Sequence, residues 1–256
     1  MTKAAMLLPN YGFDPTEAAI PYKYLTEKGW VIDIVTESGK CQLPLSNLPT
    51  DWSLLYHIVL APKADQMMLT GTLASLLGAK AAAKDAYTNS LSASTSFKEP
   101  KAWNDPEFSL TQYDVVIIPG GHERRGENKE DEPSKGVRQI IESRHLRSLL
   151  SEIWPYTRDK DGSSDKKMVV GAIWFVEILT TVYLFDFTKD ETGNSILYDR
   201  KMTTLPEHLE RLAHSLTGAF IGDYYRTYPG RYTAALVQEC LATPEQYLPG
   251  LLNLTG

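Results

Sequence analysis

Tyr113-Asp114-Val115-Val116-Ile117-Ile118-Pro119-Gly120-Gly121-His122 is a continuous apolar run closed by a Pro-Gly-Gly turn. A run without polar alternation suits a central parallel strand, whose two faces both meet helices instead of water. On either side of it, further apolar runs of strand length alternate with longer amphipathic stretches. Lys3 to Pro9 and Trp30 to Val35 read as strands, and Met168 to Ile173 as another buried one. Asp14 to Lys28 has helical spacing, with Ala18, Ala19, Tyr22 and Leu25 on one side and Gly29 as a stop. Gly136 to Ile153 reads as one helix with Val137, Ile140, Ile141, Leu146, Leu149 and Leu150 inward. Residues 65–77 and 79–87, Pro206 to Thr217 and Ala234 to Leu241 supply more helices. This alternation predicts an α/β protein, doubly wound, with a mainly parallel sheet and helices on both faces. Residues 90–112 are polar and broken by Pro100 and Pro106, so they read as an extended loop. With no internal repeat, the simplest organisation is one domain over residues 1–256 carrying loop insertions near 90–112 and 124–134.

The composition narrows the function classes. A chain of 256 residues with 43% hydrophobic side chains can bury a sizeable core. Its formal net charge of -6, with cations scattered among acids, argues against a nucleic-acid partner. No apolar stretch approaches the ~18–20 residues that cross a bilayer, so no membrane partner is expected. Ala4-Ala5-Met6-Leu7-Leu8 is stopped at once by Pro9-Asn10, which fits a buried first strand better than a signal-peptide core. Cys41 and Cys240 are far apart in sequence. A reduced cytoplasmic protein is the natural reading, with one long-range disulfide as the alternative. No metal and no cofactor are expected. Only His208 and His214 share a neighbourhood, without zinc-like spacing, and there is no Gly-x-Gly-x-x-Gly or phosphate loop.

Sites in open α/β sheets form at the carboxyl ends of strands. Asn10 to Glu17 leaves one such edge and brings a carboxylate. Pro119 to Glu123 leaves another and brings glycine N–H groups with an imidazole. Gly171-Ala172-Ile173-Trp174-Phe175 is a strand-to-helix junction, the place where a nucleophile elbow carries Ser or Cys. Here it carries Trp174.

Taken together, Asp14-Pro15-Thr16-Glu17 with Pro21, Tyr113 to His122, and Gly171-Ala172-Ile173 resemble the DJ-1/PfpI superfamily. More narrowly, they are similar to its larger fungal branch of Hsp31-type chaperone and glyoxalase proteins. Phe97-Lys98 with Pro100 and Trp103, Gly136 to Ser143, Thr203 to Pro206, and Tyr224 to Pro229 extend the resemblance over most of the chain. It implies a flavodoxin-like sandwich, commonly a homodimer. It also implies that Glu17 matches the family's active-site glutamate and that Gly120 and Gly121 match the backbone supplying oxyanion-type donors. The family's Ala-Ile-Cys-His-Gly motif reads Ala172-Ile173-Trp174-Phe175-Val176 here. Tryptophan supplies no thiolate, so the thiol chemistry of the family is not expected.

Each candidate carries two readings. Glu17 falls at N3 of its helix, where a capping-box carboxylate fits as well as a catalytic one. His122 is a general acid or base, or a residue supporting one. Trp174 and Phe175 either fill the core or line an apolar substrate pocket. Glu177, three residues beyond Trp174, is an added acid or the partner of a buried base. Lys201, Glu207, His208 and Arg226 read as structural, and residues 124–134 as a solvated loop or a lid. The first functional reading is therefore a cofactor-free, non-thiol enzyme acting on a small apolar molecule. It would catalyse a cyclisation, isomerisation or lyase-type step, with Glu17 and His122 as the acid/base pair. A chaperone-like or regulatory homodimer with a dead site is the second, and residual glyoxalase or hydrolase activity the third.

Overall fold

Alternation along the first strand determines which face each helix covers. The computed structural model describes residues 1–39, 63–64, 79–121, 138–157, 167–172, 188–190, 192–204, 207–221 and 232–248. β1 spans Lys3–Leu7. Ala4 and Met6 enter one core cluster, while Ala5 and Leu7 enter the other, as the two-residue period of a strand requires. β2 (Tyr11–Phe13) leads into α1 (Pro15–Glu27), which places Ala18, Ala19 and Tyr22 on the Ala4 and Met6 face. Gly29, at φ +81°, follows the helix end, and β3 (Val31–Thr36) begins. A short β4 (Lys63–Ala64) pairs in parallel with β2 in a sheet of their own. α2 (Ala81–Ala86) continues as a π-helical turn over Tyr87–Leu91. On that same face Phe13, Tyr87 and Phe97 meet with ring centroids 6.1–6.2 Å apart, and so anchor β2.

After α3 (Thr95–Lys98) and an edge strand β5 (Lys101–Ala102), the chain enters β6 (Val115–Ile118). α4 (Arg138–Glu142) and α5 (Arg144–Ile153) follow, then β7 (Val169–Ala172), α6 (Glu207–Ile221) and α7 (Thr233–Cys240). The main sheet runs in the order β5-β3-β1-β6-β7, and every pairing in it is parallel. Ile140 of α4 and Leu146, Leu149, Leu150 and Ile153 of α5 pack on the Ala5 and Leu7 face, opposite α1. The expected α/β architecture with helices on both faces is therefore present. Strand order reverses at β1, with β3 on one side and β6 on the other. A crevice opens at such a switch point because the helices leaving the two strands go to opposite faces.

Some element boundaries differ from the expectations. Residues 90–112, read as an extended loop, hold α3, β5 and a 3-10 turn over Leu110–Gln112. Leu91, Phe97, Trp103, Phe108 and Leu110 are buried there, so five apolar side chains outweigh a polar average. The single helix expected over 136–153 is two helices. Ser143, extended at φ -67° and ψ 106°, interrupts it, and its hydroxyl caps α5 by accepting from the Leu146 N–H at 3.1 Å. The helix expected from Pro206 to Thr217 runs on to Ile221. Cys240 is buried and its thiol donates to the Leu236 carbonyl at 3.2 Å, and the helix expected over 65–77 and Cys41 lie outside the described residues. Among the described residues, no helix is long and apolar enough to cross a membrane.

Beneath the amino end of β6, the buried Tyr113 hydroxyl donates to Asp33 Oδ2 at 2.9 Å, and Lys101 Nζ lies 2.7 Å from the same oxygen. Burial, and then the Asp33 charge, raise the phenol's pKa far above its usual range and keep it a neutral donor. Gly39 marks the other end of β3. Its φ is +61°, and an added Cβ would lie 2.8 Å from the Ala102 nitrogen and 2.9 Å from its Cβ. Gly39→Ala therefore combines a left-handed backbone with a clash against β5. A loss of about 2–4 kcal/mol in urea unfolding is expected.

Candidate active site

The turn Asn10 to Glu17 leaves β1 at the switch point, and its geometry is set by Asp14. Asp14, buried at 3% exposure, is the N-cap of α1, and its Oδ1 accepts from the Thr16 N–H at 2.6 Å and the Glu17 N–H at 3.1 Å. Pro15 at N1 needs no N–H and is preset for helix. Pro21 lacks the N–H that would bond the Glu17 carbonyl within the helix, so the first turn is less tightly tied to the rest.

Glu17 occupies N3 as the sequence indicates, but its carboxylate does not close a capping box. Oε2 accepts from the Gly120 N–H at 2.7 Å, and the Asp14 N–H, the donor a capping box would use, goes to the Gly120 carbonyl at 2.9 Å. Phe13 pairs with Gly121 as an antiparallel bridge. In a pair of this kind, Gly121's own N–H and C=O face away from β2. Among the described residues, the end of β6 is thus stitched to the end of the β1 turn by one backbone bond and one carboxylate bond. Glu17 is 6% exposed, and its contact with a backbone N–H is charge-assisted. The structure therefore brings Glu17 and Gly120 together, 103 residues apart in sequence. While that bond holds, the Gly120 amide is committed to the carboxylate.

His122, Trp174, Phe175, Glu177, Arg226 and the 124–134 loop lie outside the described residues. Lys201 is exposed and borders a cavity of about 830 Å³ beside β7, whose walls include Met168, Val170, Leu197 and Met202. Glu17 and Gly120 are not among its lining residues. Glu207 is paired with Arg211 one turn on, at 2.7 Å, and His208 is exposed on the same helix. Among the described residues, no group of three or more His, Cys, Asp or Glu is placed to hold a metal.

Two polar residues at this edge were not singled out from the sequence. Gln139, 5% exposed, accepts from the Asn10 N–H through Oε1 at 2.8 Å and donates through Nε2 to Glu37 Oε2 at 2.6 Å. A polar residue on the inward face just before Ile140, and a carboxylate directly after the β-branched strand Val31–Thr36, were the available signals.

A family model described as ThiJ/PfpI family-like matches residues 8–234, which include every described element of the site. The chain belongs to the ThiJ/PfpI family. The uncharacterized protein C14C4.04 of Schizosaccharomyces pombe is 23% identical over 97% of this chain and 70% of its own length. The protein crystallised as APC35852 superposes with a TM-score of 0.53 at 12% identity, covering 98% of this chain and 84% of that one, which is a likeness of fold alone. Glyoxalase III from Candida albicans is 15% identical, with a TM-score of 0.48 over 96% of this chain and 82% of that one. For a ThiJ/PfpI chain, the flavodoxin-like parallel sheet is the architecture expected from its residues.

Proposed function

We propose that this ThiJ/PfpI protein is a cofactor-free, non-thiol enzyme that catalyses a cyclisation, isomerisation or lyase-type step on a small apolar molecule. The observation that carries this reading is the buried Glu17 carboxylate, held by the Gly120 N–H at the switch-point edge of the sheet. A carboxylate in that position can take a proton from the carbon beside a carbonyl. The C–H electron pair moves into the new C=C bond, the C=O pair moves to oxygen, and the proton is returned at another carbon. His122 follows directly on Gly121 in the chain and is the proposed acid that completes the pair. The resemblance aligns Trp174 with the family's thiol, and that alignment supports a route without a covalent intermediate.

Exchange of carbon-bound hydrogen tests the reading without knowledge of the natural substrate. The protein should speed α-proton exchange of a hydrophobic ketone such as benzylacetone in heavy water, followed by proton NMR, and Glu17→Gln should remove the acceleration. Equal rates with and without the Glu17 carboxylate would defeat it. Methylglyoxal should not be turned over if Trp174 stands where the resemblance sets the family's thiol, since an indole supplies no thiolate. The exposed Leu212 and Leu216, 53% and 67% accessible one turn apart on α6, favour a second, chaperone-like reading. In that case suppression of aggregation would persist in Glu17→Gln.

A further inference from the structure

The switch-point edge of the sheet carries a second polar pair beside Glu17 and Gly120. Glu17 stands at the start of α1 on one face of the sheet, and Gln139 stands in α4 on the other. Glu37 follows β3, which lies beside β1 on the side away from β6. With neighbouring strands ~4.8 Å apart, the ends of β3 and β6 are separated by about 10 Å across β1. Glu37 and the Gly120-bound Glu17 therefore flank the end of β1.

We propose that Glu37 is a second proton-transfer carboxylate of this crevice, with Gln139 as the residue that positions it. The inference rests on the acid/base reading of Glu17. Gln139 has only one productive orientation. Its Oε1 must face the Asn10 N–H, so its Nε2 must face outward to Glu37. Being buried, the amide cannot exchange these partners for water without loss. Glu37 is half-buried, and one of its oxygens is held while the other accepts no hydrogen bond among the described residues. Its backbone is fixed as well, since its carbonyl accepts from the Asn104 N–H at 3.1 Å. A carboxylate held through one oxygen and open at the other is arranged to accept a proton or, once protonated, to donate one. With Glu17 across the end of β1, a proton removed on one side of a substrate can be replaced from the other.

Glu37→Gln separates this role from support of the fold, because the new amide oxygen still accepts from Gln139. It should leave the melting temperature unchanged, lower benzylacetone exchange at least tenfold, and remove one limb of its pH profile. Glu37→Asp should recover part of the rate. If Glu17→Gln abolishes exchange while Glu37→Gln retains the full rate and profile, the second carboxylate is refuted and the acid/base reading stands. If the wild type shows no exchange, the acid/base reading fails and the second carboxylate falls with it.

Discussion

Trp103→Ala is expected to lower stability by about 3–5 kcal/mol, because the side chain is fully buried and the surrounding core closes only part of the cavity left behind. For a domain of this size, that corresponds to a fall of roughly 6–20 °C in melting temperature. The indole ring packs in the core that holds Leu110, Tyr113 and Val116, so the loss spreads to the amino end of β6. Trp103→Phe should cost much less. Among the described residues the buried indole Nε1–H has no hydrogen-bond partner, and phenylalanine keeps most of the ring while removing that unmet donor. The damage should also reach the crevice. The Trp103 N–H donates to the Thr36 carbonyl at 2.9 Å and the next residue's N–H holds Glu37, so a loosened segment frees the end of β3. Amide exchange at 103 and 104 should rise along with the fall in melting temperature. Unchanged protection there would show that β5 holds without the indole.

The same segment shows where sequence reading succeeds and where it stops. Val115–Ile118 could be placed in the sheet from its own residues, because a strand covered on both faces has no polar member. Residues 90–112 could not, since their average polarity hides five inward side chains that cluster with residues of β3 and β6. Ser143 broke the predicted long helix for a local reason. Its hydroxyl serves an N-cap better than a helix interior, and a strong apolar period on either side masks that preference. The candidate site divides in the same way. Asp14 as N-cap and Pro15 at N1 are local chemistry and were legible. Whether the Glu17 carboxylate turns back to Asp14 or across to Gly120 was not legible, because the Gly120 contact spans 103 positions. The Gln139 and Glu37 pair spans 102 positions and carries no local signature.

Glu17 substitutions should divide activity from stability, with the largest expected effect on rate. Glu17→Gln keeps an oxygen that can accept from the Gly120 N–H, so the stitch between β6 and the β1 turn can persist. What it removes is the proton acceptor, and loss of a positioned acid or base typically costs about 10²–10⁴-fold in rate. Glu17→Ala removes the acceptor and also leaves the Gly120 N–H without the carboxylate, adding a stability loss of about 1–3 kcal/mol. Glu17→Asp keeps the charge on a shorter side chain that falls short of a 2.7 Å contact made across two segments, so it should resemble alanine in stability and retain little exchange. The expected pattern is therefore exchange abolished in both Gln and Ala, with the melting temperature lowered chiefly in Ala. If Glu17→Gln kept its rate while Glu17→Ala merely melted earlier, the carboxylate would be a structural tie between β6 and α1, and the search for a proton acceptor would move to Glu37 and His122.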